Sequence, residues 1–83
     1  MEKTNKDLPI KTLIKQSLEK YFSDLNGEYP ANLYVLTLSQ LEKPLFEVVM
    51  KETNGNLSKA ASILGINRVT LRTKLRKHGL VER

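Results

Sequence analysis

The sequence predicts an all-α fold: four helices per subunit in one small domain. Three observations carry this. Apolar residues recur every three or four positions along two long stretches, as they do on a helix with one buried face. Two shorter stretches follow, each opened by an asparagine and closed by a glycine, the residue types that cap and stop helices. The chain has 83 residues, without internal repeat, low-complexity tract or interdomain linker.

Residues 1–8 read as a short flexible tail. The first helix starts near Pro9, a residue suited to a first helical turn, with Asp7 as its cap. Ile10, Leu13, Ile14, Leu18, Tyr21, Phe22 and Leu25 form its apolar stripe, and Asn26-Gly27 ends it. The second helix is expected from about Pro30 to Thr53. Its first half carries Leu33, Tyr34, Val35, Leu36, Leu38 and Leu41, which cover more of the circumference than one neighbour can bury. The first helix takes one side and a second subunit the other. Pro44 removes a backbone hydrogen bond and clashes with the preceding turn. Leu41, Leu45, Val48 and Val49 keep the period across it, which favours a kinked but continuous helix over a break at Glu42-Lys43. Residues 9–53 thus form a dimerisation region, with Tyr21, Phe22, Leu33, Leu36, Leu41 and Leu45 at the interface. The aromatics Tyr21, Phe22, Tyr29, Tyr34 and Phe46 read as core.

The third helix spans Leu57 to Leu64, capped by Asn56 and stopped by Gly65, with Ala60, Ala61, Ile63 and Leu64 as its buried face. The fourth spans Arg68 to His78, capped by Asn67 and stopped by Gly79, with Leu71 and Leu75 turned inward. Ala61 sits where the two helices approach most closely, Gly65 supplies the positive φ of the turn, Ile66 tucks beneath it, and Leu71 pins the fourth helix back on the third. Residues 54–83 therefore read as a helix-turn-helix.

Composition narrows the function. A core of this size is marginal alone, and the chain has no cysteine and one histidine, so disulfides are excluded, a zinc site is nearly so, and oligomerisation is left. The polar start MEKTNKDLP contains no secretory signal, and no run reaches the length of a membrane span, so a soluble intracellular protein without membrane partner is expected. Residues 1–50 hold six lysines against seven carboxylates; residues 51–83 hold eight basic residues against two. The net charge of +5 is thus concentrated on the helix-turn-helix, which points to a polyanion.

The outer side of the fourth helix presents Arg68, Arg72, Thr73, Arg76 and Lys77. Its N-terminal end is the part that enters a major groove, where Arg68 can bond guanine and Asn67 adenine through two atoms each. Thr70, Arg72, Lys74 and Arg76 are placed for DNA phosphates, and so are Asn56 and Ser58 at the start of the third helix. His78 lies at a helix C-terminus, where its cation would be favoured by the dipole. No paired carboxylates, metal-ligand spacing, phosphate loop or nucleophile motif is present, so neither an enzyme nor a cofactor is expected. A helical protein-interaction module with a basic face is the alternative from another class. The capped turn and the Asn-Arg start of the fourth helix favour DNA.

The segments YFSDLNG (Tyr21 to Gly27), EKPLFEVVM around Pro44, and GNLSKAASILGINRVTLRTKLRKHGL (Gly55 to Leu80) resemble the Fis family, the bacterial nucleoid proteins called factor for inversion stimulation. The last segment is also similar to the DNA-binding domain that ends NtrC-type activators; the initiator Met1 and the N-terminal match favour Fis. The resemblance implies an intertwined homodimer whose two recognition helices lie closer than one turn of straight DNA, so the DNA bends and its central minor groove is read by shape. It implies a transcription regulator in the bacterial cytoplasm, with RNA polymerase as a further partner. By the same resemblance Asn67 and Arg68 match base contacts, and Asn56, Ser58, Thr70, Arg72 and Lys74 match backbone contacts. Thr73 stands where better-known members carry lysine, which weakens a backbone contact, and Val69 stands where they carry glycine. The N-terminal arm that touches recombinases in this family is too short here, so recombinase contact is not expected.

Overall fold

A computed structural model describes residues 8–80. Asp7, expected as a cap, and most of the expected tail lie outside them. Four helices are present, α1 (Ile10–Asp24), α2 (Leu33–Glu52), α3 (Leu57–Leu64) and α4 (Arg68–Lys77), and no strand is found among the described residues. The chain divides into two units, one ending at Ala31 and holding α1, the other starting at Asn32 and holding α2, α3 and α4.

Within the first unit, α1 follows Pro9 without a side-chain cap and buries no residue. Leu25 closes it in a helical conformation, and Asn26 and Gly27 then take positive φ of 53° and 87°. The asparagine–glycine pair thus ends the helix as its chemistry requires. Phe22 packs edge-on between Tyr21, at 5.9 Å, and Tyr29, at 6.2 Å. These rings form a surface cluster rather than a core, because Tyr29 is 82% exposed.

In the second unit, α2 starts three residues later than Pro30. Asn32 takes the cap position with φ −137°, although its side chain makes no capping bond. Pro30 and Asn32 are both acceptable start residues, and the helix begins after the second of them. The helix runs unbroken through Pro44 to Glu52, because the apolar period on both sides holds one face in place. Its end is closed by Gly55 N–H donating to Met50 C=O at 2.9 Å and Asn54 N–H donating to Lys51 C=O at 3.1 Å. This crossed pair satisfies carbonyls that the helix itself leaves free. Thr53 is buried, and its hydroxyl donates to Val49 C=O at 3.0 Å, so its polar atom is satisfied inside the fold.

The core of this unit is small: Phe46 from α2, Ala60 and Ala61 from α3, Leu71 and Leu75 from α4. Val49, Met50, Leu57, Leu64, Ile66 and Leu80 pack around it. The paired alanines let α3 lie close against its neighbours, and Leu71 and Leu75, both fully buried, seat α4. Two expectations fail here. Ile63 is exposed rather than buried, and so is Tyr34. The wide apolar surface of α2 stays open as well, with Val35, Leu36, Leu38, Leu45 and Val48 exposed. No described helix is long and apolar enough to cross a membrane.

Candidate nucleic-acid interface

The α3–turn–α4 geometry follows from two asparagine side chains and one glycine. Asn56 takes an extended conformation, and its Oδ1 accepts the Lys59 N–H at 3.0 Å. At the other end of α3, Gly65 adopts φ +74°. There Gly65 N–H donates to Ser62 C=O at 3.2 Å and Ile66 N–H to Ala61 C=O at 3.1 Å. A side chain at Gly65 would be strained by that φ, so the glycine fixes the corner. The chain extends for one residue at Asn67, whose Oδ1 accepts the N–H groups of Val69 at 2.7 Å and Thr70 at 3.3 Å. The α4 helix closes through Leu80 N–H to Leu75 C=O at 2.8 Å, one residue earlier than expected, so that His78 becomes its C-terminal cap.

The inward side of α4 is apolar, and its outward side is cationic. Arg68, Val69, Arg72, Thr73 and Arg76 line a shallow open depression along the helix. The helix contains five basic residues and no acidic one. A positive surface of this kind attracts a polyanion and focuses its approach.

Individual side chains differ in how free they are. The Arg68 guanidinium donates from Nη1 to Ser58 Oγ at 2.9 Å, a bond between the first turns of α4 and α3. Asn67 commits its Oδ1 to the cap, so a two-atom bond to adenine would require breaking that cap, whereas its amide nitrogen stays available to donate. Thr73 donates its hydroxyl to Val69 C=O at 3.1 Å, so its proton already has an acceptor. Asn56, Ser58, Thr70, Arg72, Arg76 and Lys77 are exposed.

Lys74 points elsewhere. Its Nζ lies 3.1 Å from Glu42 Oε2 on α2, and a phosphate would have to compete with that carboxylate. His78 Nε2 lies 3.0 Å from the other oxygen, Oε1, and its ring meets Phe46 edge-on at 5.9 Å. The bond to His78 holds the Glu42 carboxyl below the usual carboxylate range; partial desolvation opposes this, and Lys74 adds to it. Glu42 therefore clasps the two ends of the last turn of α4 to α2. Sequence reasoning missed this clasp and assigned His78 only to the helix terminus. The partners lie 32 and 36 residues apart, and no local pattern announces such a pair.

The residues expected at a subunit interface divide by exposure. Leu36, Leu45 and Phe22 are exposed, and Leu33, Leu41 and Tyr21 are half-buried. Among the described residues no cluster of carboxylate, histidine or cysteine side chains could hold a metal ion.

Comparison with known proteins gives a consistent picture. A family model described as "Bacterial regulatory protein, Fis family" matches residues 37–78, half of the chain. The DNA-binding protein Fis of Mannheimia haemolytica is 50% identical over 72 residues, covering 87% of this chain and 74% of that protein. The protein of the same name from Buchnera aphidicola is 52% identical over 73 residues, again covering 87% and 74%. A Fis-like DNA-binding protein of Neisseria meningitidis is 53% identical over 72 residues, which cover 87% of this chain and 91% of that protein.

Proposed function

This chain belongs to the Fis family of DNA-binding proteins, and from that premise we propose that it acts as a homodimer that binds and bends DNA to regulate transcription in the bacterial nucleoid. The observation that carries the reading is the row Arg68, Arg72 and Arg76 on the outward face of a helix with no acidic residue, behind a turn capped by Asn67. Arg68 reads a base edge, Asn67 adds a donor from its free amide nitrogen, and Asn56, Ser58, Thr70, Arg72 and Arg76 hold the backbone. Thr73 contributes a weaker backbone contact, and Lys74 divides its charge between Glu42 and the nearest phosphate.

The exposed apolar surface of α2 supports the dimer. Val35, Leu36, Leu38, Leu45 and Val48 together make a surface that a lone subunit leaves in water. A second copy that covers it sets two recognition helices on one side of the assembly. The DNA then bends to meet both, and the sequence between the half-sites is read through the cost of that deformation. RNA polymerase is a further partner of such a regulator.

Fluorescence anisotropy tests the DNA reading. A duplex selected from a random library by the wild-type protein is compared with a scrambled duplex of equal length. Arg68→Ala weakens the selected duplex by roughly 1–3 kcal/mol and leaves the scrambled one nearly unchanged. Affinity for both falls steeply with salt, with a log–log slope of about 0.9 per phosphate neutralised. Equal losses on both duplexes would remove Arg68 from base reading, and binding without salt dependence would refute the electrostatic basis of the interface.

A further inference from the structure

Val69 stands among cations, and nothing in the fold needs it there. It is 71% exposed at the start of α4 and lines the same depression as Arg68, Arg72, Thr73 and Arg76, the single apolar side chain of the five. Its backbone is already satisfied on both sides, the N–H by Asn67 Oδ1 at 2.7 Å and the C=O by the Thr73 hydroxyl at 3.1 Å. What remains to meet a partner is the branched pair of methyl groups. A β-branched residue is a poor choice for an exposed helix position on propensity alone. It covers no core neighbour either, because the core is built from Leu71 and Leu75 on the opposite side.

We propose that Val69 is a specificity-determining residue that packs against the 5-methyl group of a thymine in the major groove, next to the base contacted by Arg68. The inference rests on the DNA reading given above. In the major groove the thymine methyl is the one apolar feature a base pair presents, and apolar side chains recognise it by contact. The neighbours of Val69 fit that occupant, since the arginines around it attract the phosphates that flank the same groove. Ser58 draws Arg68 toward α3, so the valine beside it keeps an open approach to the adjacent base pair. Burial of one methyl-sized group contributes about 0.8 kcal/mol, which corresponds to about fourfold in affinity for each thymine contacted.

Replacing thymine by uracil removes only the methyl group. The probe is the duplex selected by the wild-type protein, resynthesised with one thymine at a time changed to uracil. At one position in the half-site, uracil weakens wild-type binding about fourfold. The same substitution leaves Val69→Ala unaffected, because the variant has lost the methyls that sensed the difference. Val69→Thr, which keeps one of the two methyls and the branched shape, retains part of the effect. Circular dichroism of both variants confirms that exposed substitutions leave the helices intact. If no uracil position affects the wild type, or if one affects wild type and Val69→Ala equally, the valine contact is refuted while DNA binding stands. If the wild type does not prefer its selected duplex over a scrambled one, the DNA reading itself fails and the inference with it.

Discussion

Removing the Glu42 carboxylate tests whether the clasp holds α4 in place. In Glu42→Ala two partners lose their acceptor at once. The Lys74 side chain is 35% exposed and can turn to water, so its share is that of a half-solvated ion pair, about 0.2–1 kcal/mol. The His78 side chain is only 5% exposed, so its Nε2–H is left without an acceptor inside the fold, at a cost of about 1–3 kcal/mol. Together these place the loss at about 2 kcal/mol, which lowers the melting midpoint of a chain this short by about 10 °C. Urea denaturation followed by circular dichroism at fixed protein concentration measures it. The pH dependence supplies a second check. The Glu42 carboxyl is held below its ordinary value in the folded state, chiefly by His78, so the unfolded chain binds the proton more readily. Its stabilisation is therefore complete above the ordinary carboxylate range and is lost as pH falls through the folded-state value. The gap between wild type and Glu42→Ala should narrow on acidification through that window. A loss under about 0.5 kcal/mol, with a gap that does not change with pH, would refute the clasp, since the threshold lies well below the cost of an unpaired buried donor.

The remaining expectations concern the bond across the turn and the subunit interface. Ser58→Ala removes the acceptor of the Arg68 guanidinium and weakens the selected duplex about threefold to tenfold, within the net value of one exposed hydrogen bond of about 0.5–1.5 kcal/mol; an equal loss on scrambled DNA would assign Ser58 to the backbone alone. If the apolar face of α2 is covered by a second copy, the melting midpoint rises with protein concentration, whereas light scattering that shows a folded monomer at micromolar concentration would contradict the dimer.

The parts of the fold legible in the sequence are those written in local chemistry. The boundaries of α3 and the start of α4 follow from Asn56, Gly65 and Asn67, because each acts on the backbone within a few residues of itself. Unbroken passage of α2 through Pro44 was legible from the apolar period on both sides. The start of α2 was not, since Pro30 and Asn32 are both acceptable start residues and only the packed chain chooses between them. Tyr29 and Tyr34 misled because a helical apolar pattern identifies a face without naming what covers it. The clasp was invisible for a different reason. Glu42 resembles any helical carboxylate until the fold brings Lys74 and His78, 32 and 36 residues later, to its two oxygens. At the candidate site the residue types were legible, but their prior commitments were not: the Asn67 oxygen, the Thr73 proton and the Lys74 ammonium are each engaged within the fold.

Those commitments sort α4 into working parts. Leu71 and Leu75 face the core, Lys74 and the capping His78 reach sideways to Glu42, and Arg68, Arg72 and Arg76 remain as one outward row. Successive members of the row are four residues apart, so each step advances about 6 Å along the axis and the row spans about 12 Å. That length exceeds the depth of the major groove, about 8.5 Å. On the proposed reading, a helix entering by its N-terminal end would carry Arg68 and Val69 to the base edges while Arg76 stayed level with the phosphates at the rim. Sequence would be sensed at the first turn of the helix and affinity supplied by the rest. On this geometry a charge lost at Arg76 lowers binding to every duplex alike, and a change at Arg68 or Val69 alters which duplex is preferred.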